Sequence, residues 1–473
     1  MFCQLETLRH CFPPNLRQFL NELPESLDET YERILKGINK AQKEDARRLL
    51  QCLTVAARPL RVEELAELLA FDFQAKSNRG IPTLREDWRW DNQEQAVLST
   101  CSSLITIVRD GDSRVVQFSH FSVKEYLTSR RLAESGGDVS RFHVNLNAAH
   151  TILAQACLGT LLRLDEHTAY SGPKGFPLVE YSARHWVEHA QFEDVSSRVQ
   201  DGMDDLFDDS KPYFSAWLRV HDMDKRWGSF SSSIRVCVGS TLYYAAICGL
   251  HDLADRLIVK HPEQVNTLGG HVVAPLPAAL SKGHFRVAEL LWKHGAVVDT
   301  KEFGEWTPLH AAARCGRVDM MRWLLNHGAN ASAQSNSGQT PLHQAACGMD
   351  LGAIQLLLEH KVGINSQDNY GYTPLRNVLH NFYRSQEGKG VEIVRRLLEH
   401  GADPSRYPPR SSGLTPLHQA SCLGSLETTR LLLSFGANVN ERDKKGKTPF
   451  QAASSRGHDE IMKLLLEHGA VYP

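Results

Sequence analysis

The segment His185–His189 has the spelling of a metal-dependent enzyme, the sharpest such signal in the chain. It reads His-Trp-Val-Glu-His, and on a helix this spacing places two imidazoles on one face, where they can bind Zn²⁺ while the glutamate activates water. The sequence shows no third ligand, and such a match arises easily by chance in a chain with 22 histidines. We therefore expect a packing helix whose Arg184, Glu188 and two histidines lie on a solvated face. A zinc-dependent hydrolase is kept as an alternative.

Two other groups of residues resemble catalytic motifs in an unsuitable context. His120, Ser122 and Glu125 lie near one predicted helix start, without the G-x-S-x-G elbow that exposes a nucleophilic serine. The triplet Gly446–Thr448 resembles the end of a phosphate-binding loop, but Glu441 stands where that loop begins with glycine. We expect no catalytic residue, no bound metal and no cofactor, so the chain is predicted not to be an enzyme.

Charge, cysteine content and hydropathy argue against several other classes of protein. The 473 residues include 53 basic and 55 acidic side chains, so no strong field favours nucleic acid or an anionic membrane as partner. The ten cysteines form no C-x-x-C pair and the first residues resemble no signal peptide, which indicates a cytoplasmic protein. No apolar run approaches the roughly 18 residues of a membrane-spanning helix. A chain of this length is expected to divide into about two to four domains.

A four-residue motif recurs through the second half of the chain and indicates the elements that position its residues. Thr-Pro-Leu-His or a close variant begins at Thr307, Thr340, Thr373, Thr415 and Thr448, and the first three copies are 33 residues apart. Degenerate copies at 240–245 and 274–279 bring the number of units to seven. In register with the motif runs a leucine, in most units four residues before a glycine: Leu257, Leu291, Leu324, Leu357, Leu397, Leu432 and Leu465.

Each unit is predicted to be a pair of helices. Threonine caps the first helix, proline fits its first turn where no N–H is needed, and leucine faces inward. Glycine closes the second helix in the left-handed conformation, and a finger-like turn follows. A pair of this size cannot cover its own apolar face, so the units must stack into a solenoid. Motif and leucine pattern together resemble ankyrin repeats over residues 236–473, and the resemblance implies a protein-binding surface.

The units depart from this pattern at a few places. His261 and Lys361 stand where the closing glycine is expected, and Glu305 stands where the finger usually carries glycine. Unit five is nine residues longer than the others, with the extra residues near 381–388 and 407–412, and we expect it to bulge without interrupting the stack. The histidines that recur with the repeat are interpreted as structural hydrogen-bonding residues of the turn: His310, His343 and His418.

The first half of the chain predicts a winged-helix domain over 45–130, so the whole protein is expected to be mainly α. Apolar residues at helical spacing indicate two helices between 28 and 58 and a third over 62–69. After a polar insert rich in tryptophan and asparagine, strands at 104–108 and 115–118 are joined by an Asp-Gly turn. Acidic neighbours cancel the basic residues near the helices, so we expect packing against protein and not DNA binding. These basic residues are Lys43, Arg47, Arg48, Arg58 and Arg61.

Four segments of this half resemble the region that follows the nucleotide-binding core in fungal NACHT (STAND-type) proteins, namely residues 23–35, 58–60, 120–127 and 178–186. The resemblance covers roughly the first 212 residues and implies a NOD-like signalling protein whose NACHT core switches with ATP or GTP. Residues 1–44 are then the end of that region, and 131–235 a helical linker. No phosphate loop precedes the winged helix. The chain is therefore expected to lack the NTPase, or to be the regulatory part of an active NTPase whose core lies upstream of Met1.

The predicted function is that of a protein-binding scaffold or sensor. The ankyrin resemblance implies that finger tips and the exposed side of each first helix contact partners, and aromatic and arginine residues are frequent hot spots. For Trp306 and Tyr372, packing against neighbouring fingers is the alternative. Self-association through the N-terminal half is a further expectation. The candidate contact residues are Trp306, Arg314, Gln339, Gln344, Tyr372, Asn377, Leu414, Gln419, Lys447 and Arg456.

Overall fold

The computed structural model describes residues 26–74, 80–101, 103–164, 175–221, 239–269, 273–301, 303–382, 387–406 and 413–471. The chain divides into two compact units, Met1–Ile234 and Arg235–Pro473. Both are mainly helical, as the sequence predicts, and each has its own apolar core.

The N-terminal unit begins with two amphipathic helices, α1 (Leu27–Gly37) and α2 (Lys43–Val55). Ser26 caps α1 because its side chain accepts a hydrogen bond from the Glu29 N–H at 3.2 Å. Helix α2 ends before Pro59, which cannot continue a helix. The prediction of two helices between residues 28 and 58 is confirmed.

A three-stranded antiparallel sheet packs against helix α2. Its strand order is β1-β5-β4, and a separate pair joins β2 to β3. The loop between β4 and β5 is Gly111–Asp112, and Gly111 has a φ of 59°, which glycine adopts without strain. The predicted strand pair and Asp-Gly turn are therefore confirmed. The elements are β1 (Leu60–Arg61), α3 (Val62–Leu69), β2 (Phe71–Asp72), β3 (Thr83–Leu84), α4 (Gln93–Cys101), β4 (Ile105–Asp110) and β5 (Ser113–Phe118).

The rest of the N-terminal unit is a helical bundle. Its centre is an aromatic group in which the Trp186 and Trp217 rings lie 5.6 Å apart and Phe207 packs on both. The Trp217 indole N–H donates to the Ala183 carbonyl at 3.0 Å, so this buried polar group is satisfied. The helices are α5 (Phe121–Leu127), α6 (Arg130–Glu134), α7 (Leu146–Leu161), α8 (Val179–Ala190), α9 (Val195–Arg198), α10 (Gln200–Leu206) and α11 (Tyr213–Val220), with 3-10 helices at Lys40–Gln42, Glu86–Trp88 and Gly137–Phe142.

The C-terminal unit is a stack of seven helix pairs, as the repeat count predicts. First helices pack on first helices and second on second between units one and two and from unit three to unit seven, and the seven repeated leucines are buried. The pairs are α12 (Thr241–Cys248) with α13 (His251–Lys260), α14 (Pro275–Ser281) with α15 (Phe285–Lys293), α16 (Pro308–Arg314) with α17 (Val318–Asn326), α18 (Pro341–Gly348) with α19 (Leu351–Glu359), α20 (Pro374–His380) with α21 (Glu387–Glu399), α22 (Pro416–Leu423) with α23 (Leu426–Ser434), and α24 (Pro449–Ser454) with α25 (Asp459–Glu467). Short 3-10 helices lie at Pro262–Asn266 and Phe303–Glu305.

The turns show how the departures from the repeat pattern are accommodated. The five closing glycines of the motif have φ values between 86° and 91°, the left-handed conformation. Lys361 and Glu305 adopt the same region, at φ 53° and 56°, although each carries a Cβ. His261 does not, since its φ is −135° and a 3-10 helix follows it. Two of the three residues that replace glycine thus keep the left-handed conformation, and the third changes the turn itself.

The long unit five keeps its place in the stack. Helix α20 contacts α22, and α21 contacts both α19 and α23. Parts of the predicted insert, residues 383–386 and 407–412, lie outside the described residues.

Candidate protein-binding surface

Fingers of the C-terminal unit are held by one histidine in each of units three, four and six. In His310, Nδ1 accepts hydrogen bonds from the N–H and hydroxyl of Thr307, at 3.2 and 2.9 Å. Its Nε2 donates to the carbonyl of Gln339, 2.9 Å away in the next finger. This pattern fits a neutral ring, and burial lowers the pKa of His310 in agreement with it. One side chain thus caps its own helix and joins two units.

The same bridge recurs along the stack. His343 donates to the Tyr372 carbonyl and His418 to the Lys447 carbonyl, each at 2.9 Å. Burial lowers the pKa of both histidines. The interpretation of the three histidines as hydrogen-bonding residues of the turn is therefore confirmed.

The bridges determine where the residue before each Thr-Pro lies, and we call these positions the finger row. It consists of Trp306, Gln339, Tyr372, Leu414 and Lys447. Because the Gln339, Tyr372 and Lys447 carbonyls are bonded to the preceding unit, their backbone is held while their side chains remain partly or fully exposed. The row is therefore preorganised at these positions.

Aromatic and cationic side chains meet at the finger of unit five. The Arg376 guanidinium lies 4.5 Å from the centre of the Tyr372 ring, a cation–π contact. Tyr370, at the tip of this finger, is 64% exposed, and its ring centre is 6.1 Å from that of Tyr372. Asp368 orders the turn by accepting from the N–H groups of both tyrosines, at 3.0 and 2.8 Å. Sequence reasoning missed Tyr370, although an aromatic residue between a turn-forming aspartate and glycine was a usable signal.

A chain of polar contacts links the finger row to the first helices. Arg314 donates to the Gln344 side chain at 3.1 Å, and Gln344 donates to that of Gln339 at 2.5 Å. Gln339 in turn donates to Asp368 at 3.1 Å. These contacts link two first helices and two fingers, and they hold the side chain of Gln339.

Two of the ten candidate contact residues are buried in the free protein. Gln344 has no exposed surface, because its amide is used in the chain of polar contacts, and Asn377 is 7% exposed and donates to the His343 carbonyl at 3.5 Å. The expectation that both present their side chains at the surface needs this correction. The other eight are half-buried or exposed: Trp306, Gln339, Tyr372, Leu414 and Gln419 are half-buried, and Arg314, Lys447 and Arg456 are exposed.

The H-x-x-E-H segment lies on α8 and has a structural explanation. His189 is buried, and its two ring nitrogens contact the Tyr181 hydroxyl at 2.8 Å and His150 Nδ1 at 2.9 Å. Our expectation that both histidines lie on a solvated face is wrong for His189, because α7 and α8 pack closely there. Burial lowers its pKa to about 3. Among the described residues, no group of three or more potential metal ligands is found.

The remaining motif residues of the N-terminal unit also form local contacts. Ser122 lies at the start of α5, where its hydroxyl is 2.8 Å from that of Tyr31 and 2.6 Å from His120 Nδ1. Each basic residue considered for DNA binding is paired with a carboxylate, and the pairs are Lys43–Asp138, Arg47–Glu44, Arg48–Glu44, Arg58–Glu64 and Arg61–Glu180.

Family comparisons agree with this architecture. Residues 242–335, 328–407 and 379–472 match the model described as ankyrin repeats (3 copies). The C-terminal unit is an ankyrin-repeat solenoid. Residues 31–140 match the winged helix domain of GPI inositol-deacylase, so the predicted winged helix is confirmed. The resemblance to NACHT proteins stays a prediction.

Similar proteins include one from a fungus. The azaphilone pigments biosynthesis cluster protein L of Monascus ruber is 32% identical over 294 residues, 58% of this chain and 60% of that protein. The Arf-GAP with coiled-coil, ANK repeat and PH domain-containing protein 2 of Homo sapiens is 42% identical over 65 residues, which are 14% of this chain and 8% of the human protein. The chain thus spans less than two thirds of either relative. Within the described residues, no helix is long and apolar enough to cross a bilayer.

Proposed function

We propose that this chain is a non-enzymatic, cytoplasmic scaffold or sensor that binds a protein partner through the finger row and adjacent first helices of its ankyrin repeats. The observation that carries the proposal is the histidine bridge, which holds the finger backbone before any partner arrives. Because this backbone is already ordered, binding loses less conformational entropy, and more of the interaction energy of the side chains contributes to affinity. Trp306, Tyr372, Tyr370 and Arg314 supply the residue types that dominate protein interfaces.

The finer proposal is a place in a NOD-like signalling protein. Its support is the order of domains, a winged helix followed by a helical region and a sensing solenoid, together with the NACHT-like segments of the sequence. In this arrangement the repeats recognise the partner and the winged helix passes the signal to an NTPase. Measuring nucleotide and metal content of the purified chain tests the non-enzymatic assignment, since bound nucleotide, or zinc in molar ratio, contradicts it.

The experiment on the binding surface compares the wild type with a triple variant, W306A/R314A/Y372A. Partners captured by the immobilised wild-type chain from an extract of its source cells are identified, and affinity for the leading partner is then measured with purified components. We expect the triple variant to lose at least tenfold in affinity with an unchanged circular dichroism spectrum, and its Tm to fall by about 2–4 °C because Arg314 no longer bonds the buried Gln344 amide. Unaltered affinity overturns the assignment of this surface.

A matched control uses exposed residues of the second helices. Trp292 and Arg322 lie on α15 and α17, and Phe435 follows α23; all three are exposed. The variant W292A/R322A/F435A should bind as the wild type does. If both triple variants lose the same affinity for the partner, the loss is not specific to the finger row and the first helices, and the proposal is contradicted.

A further inference from the structure

A cavity of about 980 Å³ lies within the N-terminal unit and is not used by the proposed ankyrin function. Its walls come from the first half of α2, the end of α3, β2 with the residues after it, the segment 87–91 and helix α4. The volume is in the range of sites that enclose a ligand or a partner's side chain. Residues 87–91 belong to the insert rich in tryptophan and asparagine, for which the sequence suggested no role.

Two tryptophans line the cavity and remain largely in water. Trp88 is 42% exposed and Trp90 is 51% exposed, which is unusual for side chains that gain more than most from burial. A tryptophan ring has a negative face and is the strongest side-chain partner for a cation. Both indoles are therefore accessible to an incoming group at the wall of the cavity.

The charges around the cavity favour a cation. Five carboxylates line it, those of Glu44, Asp45, Asp72, Asp87 and Asp91, against the two guanidinium groups of Arg48 and Arg89. Asp87 and Asp91 flank the tryptophans and are exposed. Residues outside the lining also pair with two of these carboxylates, Arg47 with Glu44 and Arg85 with Asp72. Among the described residues, the negative charge of the cavity therefore comes mainly from Asp87 and Asp91.

The two arginines of the lining do not reverse this balance, because one pairs with a carboxylate outside the lining and the other offsets one lining carboxylate. Arg89 donates from two nitrogens to the carboxylate of Glu67, one of them at 2.9 Å. Arg48 lies 3.6 Å from Glu44 and its guanidinium is over the Phe73 ring. Burial raises the pKa of Asp45, with a contribution from the charge of Glu44, although Arg48 opposes it.

The chain already contains a version of the contact that we infer. Arg85 places its guanidinium 5.6 Å from the centre of the Trp88 ring and 3.7 Å from an oxygen of Asp72. An indole face and a carboxylate thus hold a guanidinium at this cavity. Trp90 with Asp87 and Asp91 supplies the same chemistry for a group from outside the chain.

We propose that this cavity binds an arginine or lysine side chain presented by a basic segment of a protein partner. The cation would contact the tryptophan faces, and the carboxylates would neutralise its charge. A protein segment is favoured over a small ion because the cavity is far larger than one ammonium group and its aromatic walls also cover an aliphatic stem.

The test uses the full chain and a fluorescein-labelled ten-residue peptide of alternating arginine and glycine. The matched probe replaces every arginine by citrulline, which keeps the shape and removes the charge. We expect the arginine peptide to bind measurably at 0.15 M salt by fluorescence polarisation, and the citrulline peptide to bind at least about tenfold more weakly. W88A/W90A should lose about tenfold in affinity for the arginine peptide, and D87N/D91N should lose affinity and depend less on salt.

Control variants separate this cavity from general surface charge and stickiness. Trp292→Ala removes another exposed tryptophan, and D110N/D112N removes two exposed carboxylates at the β4–β5 turn. Both should bind the arginine peptide as the wild type does, and all variants should keep the wild-type circular dichroism spectrum. D87N/D91N keeps the test meaningful if W88A/W90A fails to fold.

Three outcomes overturn the proposal. They are equal binding of the two peptides, wild-type affinity in both cavity variants, and spermine binding at this cavity as tightly as the peptide, which would assign it to a small polycation. None of them bears on the finger row, because the cavity variants leave the ankyrin repeats intact.

Discussion

Arg376 donates from Nη1 to the carbonyl oxygen of Leu414 at 3.4 Å. In units three, four and six, the fourth residue of the motif is a histidine that donates to the carbonyl of the residue before the next Thr-Pro. Arg376 is the fourth residue of the motif in unit five, and Leu414 is the residue before the next Thr-Pro. A longer side chain therefore makes the same connection where the unit has nine additional residues. The arginine leaves Thr373 to cap the helix by itself, since the Thr373 hydroxyl accepts from the Arg376 N–H at 3.4 Å.

Removing one histidine bridge should destabilise the stack more than removing the arginine one. H343A leaves the Thr340 N–H and the Tyr372 carbonyl without their buried partner, and we expect a loss of about 2–3 kcal/mol in the free energy of unfolding. R376A removes one long hydrogen bond and the cation–π contact with Tyr372, and it should cost about 1–1.5 kcal/mol. Urea unfolding followed by circular dichroism measures both. Equal effects would contradict the prediction that the buried histidine bridge contributes more to stability than the arginine does.

The bridges predict a dependence of stability on pH. Burial keeps the pKa of His343 in the folded protein below its value of about 6.5 in an unfolded chain. Below that pH the unfolded chain binds more protons, so the free energy of unfolding should fall as pH decreases from 7.5 to 5. H343Q removes one titrating group and should therefore make the decrease shallower. Glutamine can keep the helix cap, since the Gln451 side-chain oxygen accepts from the Thr448 N–H at 3.0 Å in the last unit. The same slope in H343Q and wild type would contradict this origin.

The two histidines of the H-x-x-E-H segment should differ in their effect on stability. His189 is buried between Tyr181 and His150, so H189A should cost about 2–3 kcal/mol. H185A should cost less than about 0.5 kcal/mol, because this side chain is partly exposed and contacts only nearby groups of its own helix. Thermal unfolding with and without EDTA measures both values. A zinc site would instead make the two variants similar and the wild type sensitive to EDTA.

Lys361 predicts a stabilising substitution. Its φ of 53° places a residue with a Cβ in the left-handed conformation that glycine adopts in five of the other units. K361G should therefore raise the free energy of unfolding by about 0.5–1 kcal/mol, while G328A, at a φ of 89°, should lower it. A decrease in K361G would show that the lysine side chain stabilises the turn by other contacts.

Exposure predicts which single residues of the finger surface affect binding alone. Y370A should lower partner affinity with an unchanged Tm, since this ring is mainly in water. N377A should lower the Tm first, because the amide is buried and hydrogen-bonded to the His343 carbonyl. Affinity measured beside Tm distinguishes the two classes, and a large fall in Tm for Y370A would contradict the assignment.

The outcome at individual residues shows how far local chemistry reaches. Thr340 and Pro341 were sufficient to predict a helix start, and Gly328 a left-handed helix end, because these preferences depend on few neighbouring atoms. Gln344 looked like a surface residue on its helix. Its side chain is held by Gln339 of the finger before its own helix and by Arg314 of the preceding unit, and Arg314 meets it only when consecutive units stack.

The sequence by itself determined the repeat register, the seven helix pairs and the winged helix, since caps, turns and apolar periodicity act within a few residues of the chain. Only the tertiary structure decided that Tyr370 is exposed, that Asn377 is buried, and that His189 contacts His150 from another helix. Those properties depend on side chains that lie from a few residues to more than thirty apart and meet only through packing, so no local preference can specify them.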